Sequence, residues 1–200
     1  MKIHVYHDDD VDNPLDYCGW TLHDFRRRGG NADPNKFLRV DRHGELRGVD
    51  LGWDSKLRHG TAFVLSCYQH SAVQWGLQGE TWQCPWDTSN VAGILVCDDP
   101  KEWPNREARE RAARAVLAEY TRWCNGDCWH YSLEVDGELV DGCGGYIGTD
   151  WMMECIADAV AGHGLDPVND FDDLEFNSDE WADEFYSAAR RRRDERAKAA

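Results

Sequence analysis

Thr61-Ala62-Phe63-Val64-Leu65-Ser66-Cys67-Tyr68 gathers β-branched, aromatic and aliphatic side chains into one run, the composition of a strand. Gln69-His70-Ser71 breaks the run and Ala72 to Leu77 resumes it, which predicts a hairpin. Further on, Val91-Ala92-Gly93-Ile94-Leu95-Val96-Cys97 is apolar throughout, the pattern of a central strand buried on both faces. Three strands are therefore expected in the middle of one sheet. Between them, Cys84-Pro85-Trp86-Asp87 interrupts pairing, because proline has no amide proton to give a ladder. Trp86 is expected to cover a core edge, and Asp87 to cap the turn through Thr88-Ser89-Asn90. An exposed Trp86 would be a contact residue instead.

On the C-terminal side, Asp99-Pro100-Lys101-Glu102 has the form of a helix start. Ala112/Ala113, Val116/Leu117, Tyr120 and Trp123/Cys124 then recur every three to four residues, which predicts a helix over about 105–123 with one buried stripe. Asn125-Gly126 closes it. Cys128 to Val135 alternates Trp129, Tyr131, Leu133 and Val135 with Cys128, His130, Ser132 and Glu134. Asp136-Gly137 is a two-residue hairpin turn, so Glu138 to Tyr146 is the return strand. Asp150 caps a second helix of about 151–161, ended by Gly162 and Gly164.

Toward the N-terminus, Ile3 and Val5 share one face of a short strand that enters an acidic loop at Asp8. Residues 17–60 carry Arg26-Arg27-Arg28-Gly29-Gly30 and scattered Gly, Pro, Asn and Asp, and predict a short element near 21–25 followed by long loops. The last 35 residues differ from the rest. An acidic run over 166–184 precedes Arg190-Arg191-Arg192-Arg193, and Ser178 caps a charged helix whose apolar stripe is only Trp181, Phe185 and Ala188/Ala189. Such a terminal helix is expected to be solvated and frayed.

These elements predict an α+β fold: a mostly antiparallel sheet of five to seven strands, two helices packed on one face, and a charged C-terminal helix. Residues 1–165 form a single α+β domain in this reading, and 166–200 an acidic linker with the charged helix.

The 200 residues carry 38 Asp+Glu against 22 Lys+Arg, a net charge of −16, which argues against direct nucleic-acid binding and against an anionic membrane surface. No apolar run approaches the ~18 residues of a membrane span, and Met1 to Asp10 lacks the apolar segment of a secretory signal. An intracellular chain keeps its eight cysteines reduced. The motifs Gly-x-Ser-x-Gly, His-Glu-x-x-His, the Walker loop and Gly-x-Gly-x-x-Gly do not occur, which removes the commonest hydrolase, nucleotide and dinucleotide readings. Cys67, His70 and Asp98/Asp99 supply the residue types of a nucleophile, base and orienting acid, without a defining spacing.

One metal-ligating set is available. A turn at Asp136-Gly137 puts His130 opposite Cys143, with Cys128 on the face of His130 and Cys124 four residues earlier. Three thiolates and an imidazole suit tetrahedral zinc. The bland alternative is packing, and no other cofactor is expected.

The segments His4-Val5-Tyr6-His7-Asp8-Asp9-Asp10, Val64-Leu65-Ser66-Cys67-Tyr68-Gln69-His70-Ser71, Cys84-Pro85-Trp86-Asp87 with Val91-Ala92-Gly93-Ile94-Leu95, and Asp141-Gly142-Cys143-Gly144-Gly145-Tyr146-Ile147-Gly148 together resemble a family of uncharacterised proteins of actinobacterial bacteriophages, mycobacteriophages among them. The resemblance spans about residues 1–165 and implies a phage genome and a host cytoplasm; it carries no catalytic residue with it. The function expected is that of a non-enzymatic accessory protein serving host takeover or anti-defence. Its partner would be a basic host or phage protein, met by a DNA-mimic-like surface. Asp8, Asp9, Asp10, Asp12, Asp170, Asp172, Asp173 and Glu175 are the candidate contacts. The alternative is a small zinc module or a Cys/His enzyme.

Overall fold

The computed structural model describes residues 1–26, 29–40 and 46–199. In chain order the strands and helices are β1 (Lys2–His7), β2 (Trp20–Asp24), β3 (Leu38–Val40), β4 (Leu46–Val49), α1 (Leu51–His59), β5 (Ala62–Gln69), β6 (Val73–Leu77), β7 (Thr88–Cys97), α2 (Arg106–Cys124), β8 (Cys128–Val135), β9 (Glu138–Ile147), α3 (Asp150–Gly162), β10 (Glu175–Phe176) and α4 (Asp179–Ala199). The class is α+β with mostly antiparallel strands, as expected. The single sheet is not what forms: the strands divide into two four-stranded sheets, β10-β1-β8-β9 and β2-β7-β5-β6, and a two-stranded ribbon, β3-β4. The helices number four among the described residues.

The chain makes two compact units. Unit 1 is Met1–Asp12 with Gly126–Ala200, and unit 2 is Asn13–Asn125. In unit 2 the continuous apolar run is β7, which pairs with β2 on one edge and β5 on the other and is buried on both faces, Ala92, Leu95 and Cys97 in one core cluster and Val91 and Ile94 in another. One face meets α2, whose Ala113, Leu117 and Tyr120 pack with Trp20, Leu22, Phe63, Leu65, Cys67 and Trp75. The Asn105 side chain starts α2 by accepting the Ala108 N–H at 2.9 Å. The other face is covered by the β3-β4 ribbon and α1, through Phe37, Leu38, Trp53 and Leu57. Helix α1 lies in the stretch expected as loops; Leu51, Trp53 and Leu57 are too few apolar positions to announce it. Arg27 and Arg28 of the basic tripeptide lie outside the described residues.

In unit 1, Ile3 and Val5 face Leu133 and Tyr131, their partners on β8, and form a core with Tyr146, Met152, Met153, Ile156, Val160 and Phe185. Residues 166–200 belong to this unit. Strand β10 pairs parallel with the start of β1, and the Asn177 side chain extends that ladder by bonding both the N–H and the carbonyl of Val5. Helix α4 packs on α3, with Phe185, Ala188 and Ala189 buried, Glu184 accepting from Thr149, and Arg192 reaching Glu154 and Asp158. The narrow stripe read from the sequence is thus a packed face rather than a frayed one. Among the described residues no helix is long and apolar enough to cross a membrane.

Candidate functional site

The β8-β9 hairpin turns at Asp136 and Gly137, both in the left-handed region (φ 52° and 84°), as a type I′ turn requires. Its first pairs, Val135↔Glu138 and Glu134↔Leu139, follow the expected register. Two irregularities then each add a residue to β9; the first, between Leu139 and Asp141, makes Cys143 face Tyr131 instead of His130, and the second lies beyond Cys143. Opposed residues share a sheet face and neighbours on a strand alternate. His130 therefore lies on the Tyr6 face, 5.3 Å from that ring, and Cys143 on the Tyr131 face. Cys128 is buried, and burial, with Asp127 and Asp8 nearby, pushes its thiol up. Cys124 belongs to unit 2. Among the described residues no group of three or more His, Cys, Asp or Glu side chains is placed to hold a metal ion. The glycines after Cys143 serve packing: a Cβ on Gly144 would stand 2.7 Å from the Asp8 carboxylate, which accepts the Gly145 N–H at 2.9 Å.

Asp8 is thereby a structural tie, while Asp9 faces His7 at 3.1 Å and Asp10 and Asp12 are exposed. Asp170 accepts the Asp166 N–H at 2.7 Å, Glu175 faces Lys2 at 3.7 Å, and Asp172 and Asp173 are exposed. Because β10 pairs with Lys2 and Ile3 while Asp8 follows the last residue of β1, the two acidic groups flank opposite ends of a strand roughly 20 Å long. Unit 1 holds 23 Asp+Glu against 7 Lys+Arg, and unit 2 holds 15 against 15. The whole net charge of −16 thus falls on unit 1.

Cys67, His70 and Asp98/Asp99 do not assemble. Cys67 is buried under α2, where loss of solvent raises its thiol to about 11. His70 sits at the hairpin tip 3.5 Å from Asp87, Asp98 accepts from the Thr21 hydroxyl, and Asp99 accepts the Lys101 N–H. Burial also pushes up the thiols of Cys18, Cys97 and Cys124. These are neutral thiols at pH 7, whereas cysteine attacks as the thiolate.

Two features of unit 2 were not read as sites from the sequence. The first is a buried ion pair. Asp24, 4% exposed, accepts from Arg26 Nε at 3.1 and 3.0 Å and from Nη2 at 2.7 Å. Nη1 reaches Gln69 at 3.1 Å, and the guanidinium lies 4.6 Å over the Trp75 ring. Burial opposes the Arg26 charge, but the Asp24 hydrogen bonds and charge outweigh it and hold the guanidinium above its ordinary value. Nothing in an Asp-x-Arg spacing marks such a pair.

The second is the loop before β7. Thr88 Oγ1 donates to the Trp82 carbonyl at 2.6 Å and accepts the Cys84 N–H at 2.9 Å, and the Thr88 N–H returns to the Cys84 carbonyl at 3.0 Å. Cys84 Sγ donates to Asp87 at 3.2 Å, and the Asp87 carbonyl accepts the Gln69 N–H at 2.9 Å. This lacing presents Trp86 91% exposed and Trp82 63% exposed. Trp86 therefore covers no core edge; proline and the loop hydrogen bonds turn it outward. Beside it lies a cleft of ≈ 280 Å³ lined by Arg26, Gln69, Trp86, Asp87 and Ser89 among others.

Comparison with protein-family models, curated proteins and solved structures returns no match. The functional reading therefore rests on the residues themselves.

Proposed function

We propose that this protein is a non-enzymatic binding protein whose unit 1 engages a basic surface on another protein, in the manner of a phage accessory protein in a host cytoplasm. The observation that carries the reading is the confinement of all 16 net negative charges to unit 1. Its cations are largely committed inside the unit: Lys2 faces Glu175, and Arg191, Arg192 and Arg196 face Asp150, Glu154 and Asp158 across the α3-α4 contact. A field of one sign speeds encounter with an opposite surface and weakens as salt shortens the Debye length to ~8 Å near physiological strength. The raised thiols in unit 2, and the separation of Cys67 from His70 and Asp98, support the non-enzymatic half of the proposal.

The test uses immobilised full-length protein to capture partners from host lysate, with Asp9, Asp10, Asp12, Asp172 and Asp173 changed to Lys in the comparison protein. Asp8 is left intact because it ties β9 to the end of β1. The proposal expects basic proteins to be retained at low salt, released by high salt, and lost with the reversed charges. An identical captured set from both proteins, insensitive to salt, would rule the acidic mechanism out.

A further inference from the structure

We propose that the cleft beside Trp86 binds a neutral polyhydroxylated ring, a saccharide unit stacked on the indole and hydrogen-bonded to Arg26, Gln69, Asp87 and Ser89. The inference does not rest on the reading of unit 1. Four observations lead to it. Trp86 is 91% exposed on a loop laced by its own hydrogen bonds, so a large ring face is displayed without being free to collapse, and a ligand meets it at little ordering cost. The electron-rich face of an indole attracts the polarised C–H bonds along one side of a sugar ring, as it attracts other positive edges.

The cleft also has a charge balance that selects among ligands. Arg26 is neutralised by Asp24, and Asp87 brings a carboxylate to the lining with His70 at 3.5 Å. A phosphate or carboxylate ligand would meet Asp87 with the Arg26 charge already spent on Asp24, and a bare cation could not use the donors that Arg26, Gln69 and Ser89 offer. What remains is a neutral ligand that both donates and accepts, which is the property of a hydroxyl group. The walls match it: the Gln69 amide nitrogen and the Ser89 hydroxyl make no hydrogen bond among the described residues, and Asp87 accepts. The volume of ≈ 280 Å³ is just below the roughly 300–1,000 Å³ of ligand pockets, which fits one or two rings and not a long chain buried whole.

The experiment titrates the full chain with neutral trisaccharides of glucose, mannose, galactose and N-acetylglucosamine, and with adenine as a planar ring lacking both hydroxyl groups and a sugar-like C–H face. Tryptophan fluorescence and saturation-transfer NMR report binding. At least one trisaccharide is expected to saturate, with Trp86→Ala weakening it about tenfold or more and Ser89→Ala by a smaller factor. Trp151→Ala, which removes a 71% exposed indole of unit 1, is expected to leave affinity unchanged. Circular dichroism confirms that each variant is folded. Failure of every trisaccharide to saturate, preference for adenine over all of them, or binding that survives Trp86→Ala each overturns the assignment.

Discussion

Unit 1 carries a net charge of −16 and unit 2 carries none, yet the buried polar groups are distributed the other way. The buried polar or charged residues among those described are Asp24, Ser66 and Thr81, all in unit 2. Each is satisfied there: Asp24 by Arg26, Ser66 by donating to the Leu77 carbonyl at 3.0 Å, and Thr81 by donating to Ser66 at 3.0 Å. The unit 1 core is built from aliphatic, aromatic and methionine side chains, and its charges stay at the surface. The arginines differ in the same sense. In unit 2, Arg106 and Arg109 donate to the carbonyls of residues 57–60 at the end of α1, where a helix leaves acceptors unpaired; in unit 1, Arg192 and Arg196 clamp one helix to another through carboxylates. Net charge and internal polarity are thus separate design variables: one is available for an outside partner, the other specifies how a core closes.

The sharpest way to break this comparison is Phe185→Ala. The ring is fully buried between α4 and the unit 1 core, and its loss should cost toward the upper end of ~3–5 kcal/mol, measured by urea unfolding. A cost below about 1 kcal/mol would mean that α4 is no part of that core. Next in size is Arg26→Ala, which leaves Asp24 buried without its partner and should cost about 3 kcal/mol. An Arg26→Ala protein as stable as the parent would show the pair to be hydrated.

Alkaline titration comes third. Cys67 binds its proton more tightly when folded, about 11 against an ordinary value of 9.0, so the native state keeps a proton that the unfolded chain releases. Stability is full below pH 9 and falls between pH 9 and 11, by about 2–3 kcal/mol for this group. Cys67→Ala should flatten that slope in denaturant melts taken across the interval. In unit 1, Tyr131, pushed up to about 12 mainly by burial, adds a further loss that begins near pH 10. The smallest effect is that of Trp86→Ala on stability, within about 0.5 kcal/mol by thermal melting, because the exposed ring shields no core.

The hairpin β5-β6, the central strand β7, helix α2 and the β8-β9 turn are all local, and composition, periodicity or Asp-Gly chemistry makes each legible. The division into two sheets is not local. Lys2–His7 pairs with residues 129–134, and no pattern within either segment names its partner. The zinc set does not assemble for a related reason: a single added residue turns a side chain to the other face, and the one added to β9 between Leu139 and Asp141 moves Cys143 away from His130. Trp86 misled through its size, since area alone favours burial, whereas the hydrogen bonds of Thr88 and Asp87 decide which way the loop points. Asp24 and Arg26 sit in a loop-rich stretch whose polarity suggests water, and only the closure of Trp75 and Gln69 over them makes the pair internal.

Strand β1 lies between β8 and β10 in its sheet, which gives the chain an order of assembly. A ribosome releases β1 well before β8, its earliest partner, which begins at Cys128, 121 residues after His7. At ~5–20 residues per second that interval is roughly 6 to 24 s. Residues 13–125, which emerge meanwhile, contain every strand of the other four-stranded sheet. Strand β1 is therefore made before all of unit 2 yet finds its place only once β8 has emerged, and Ile3 and Val5 spend that time as an unpaired apolar strand within reach of chaperones and of neighbouring nascent chains.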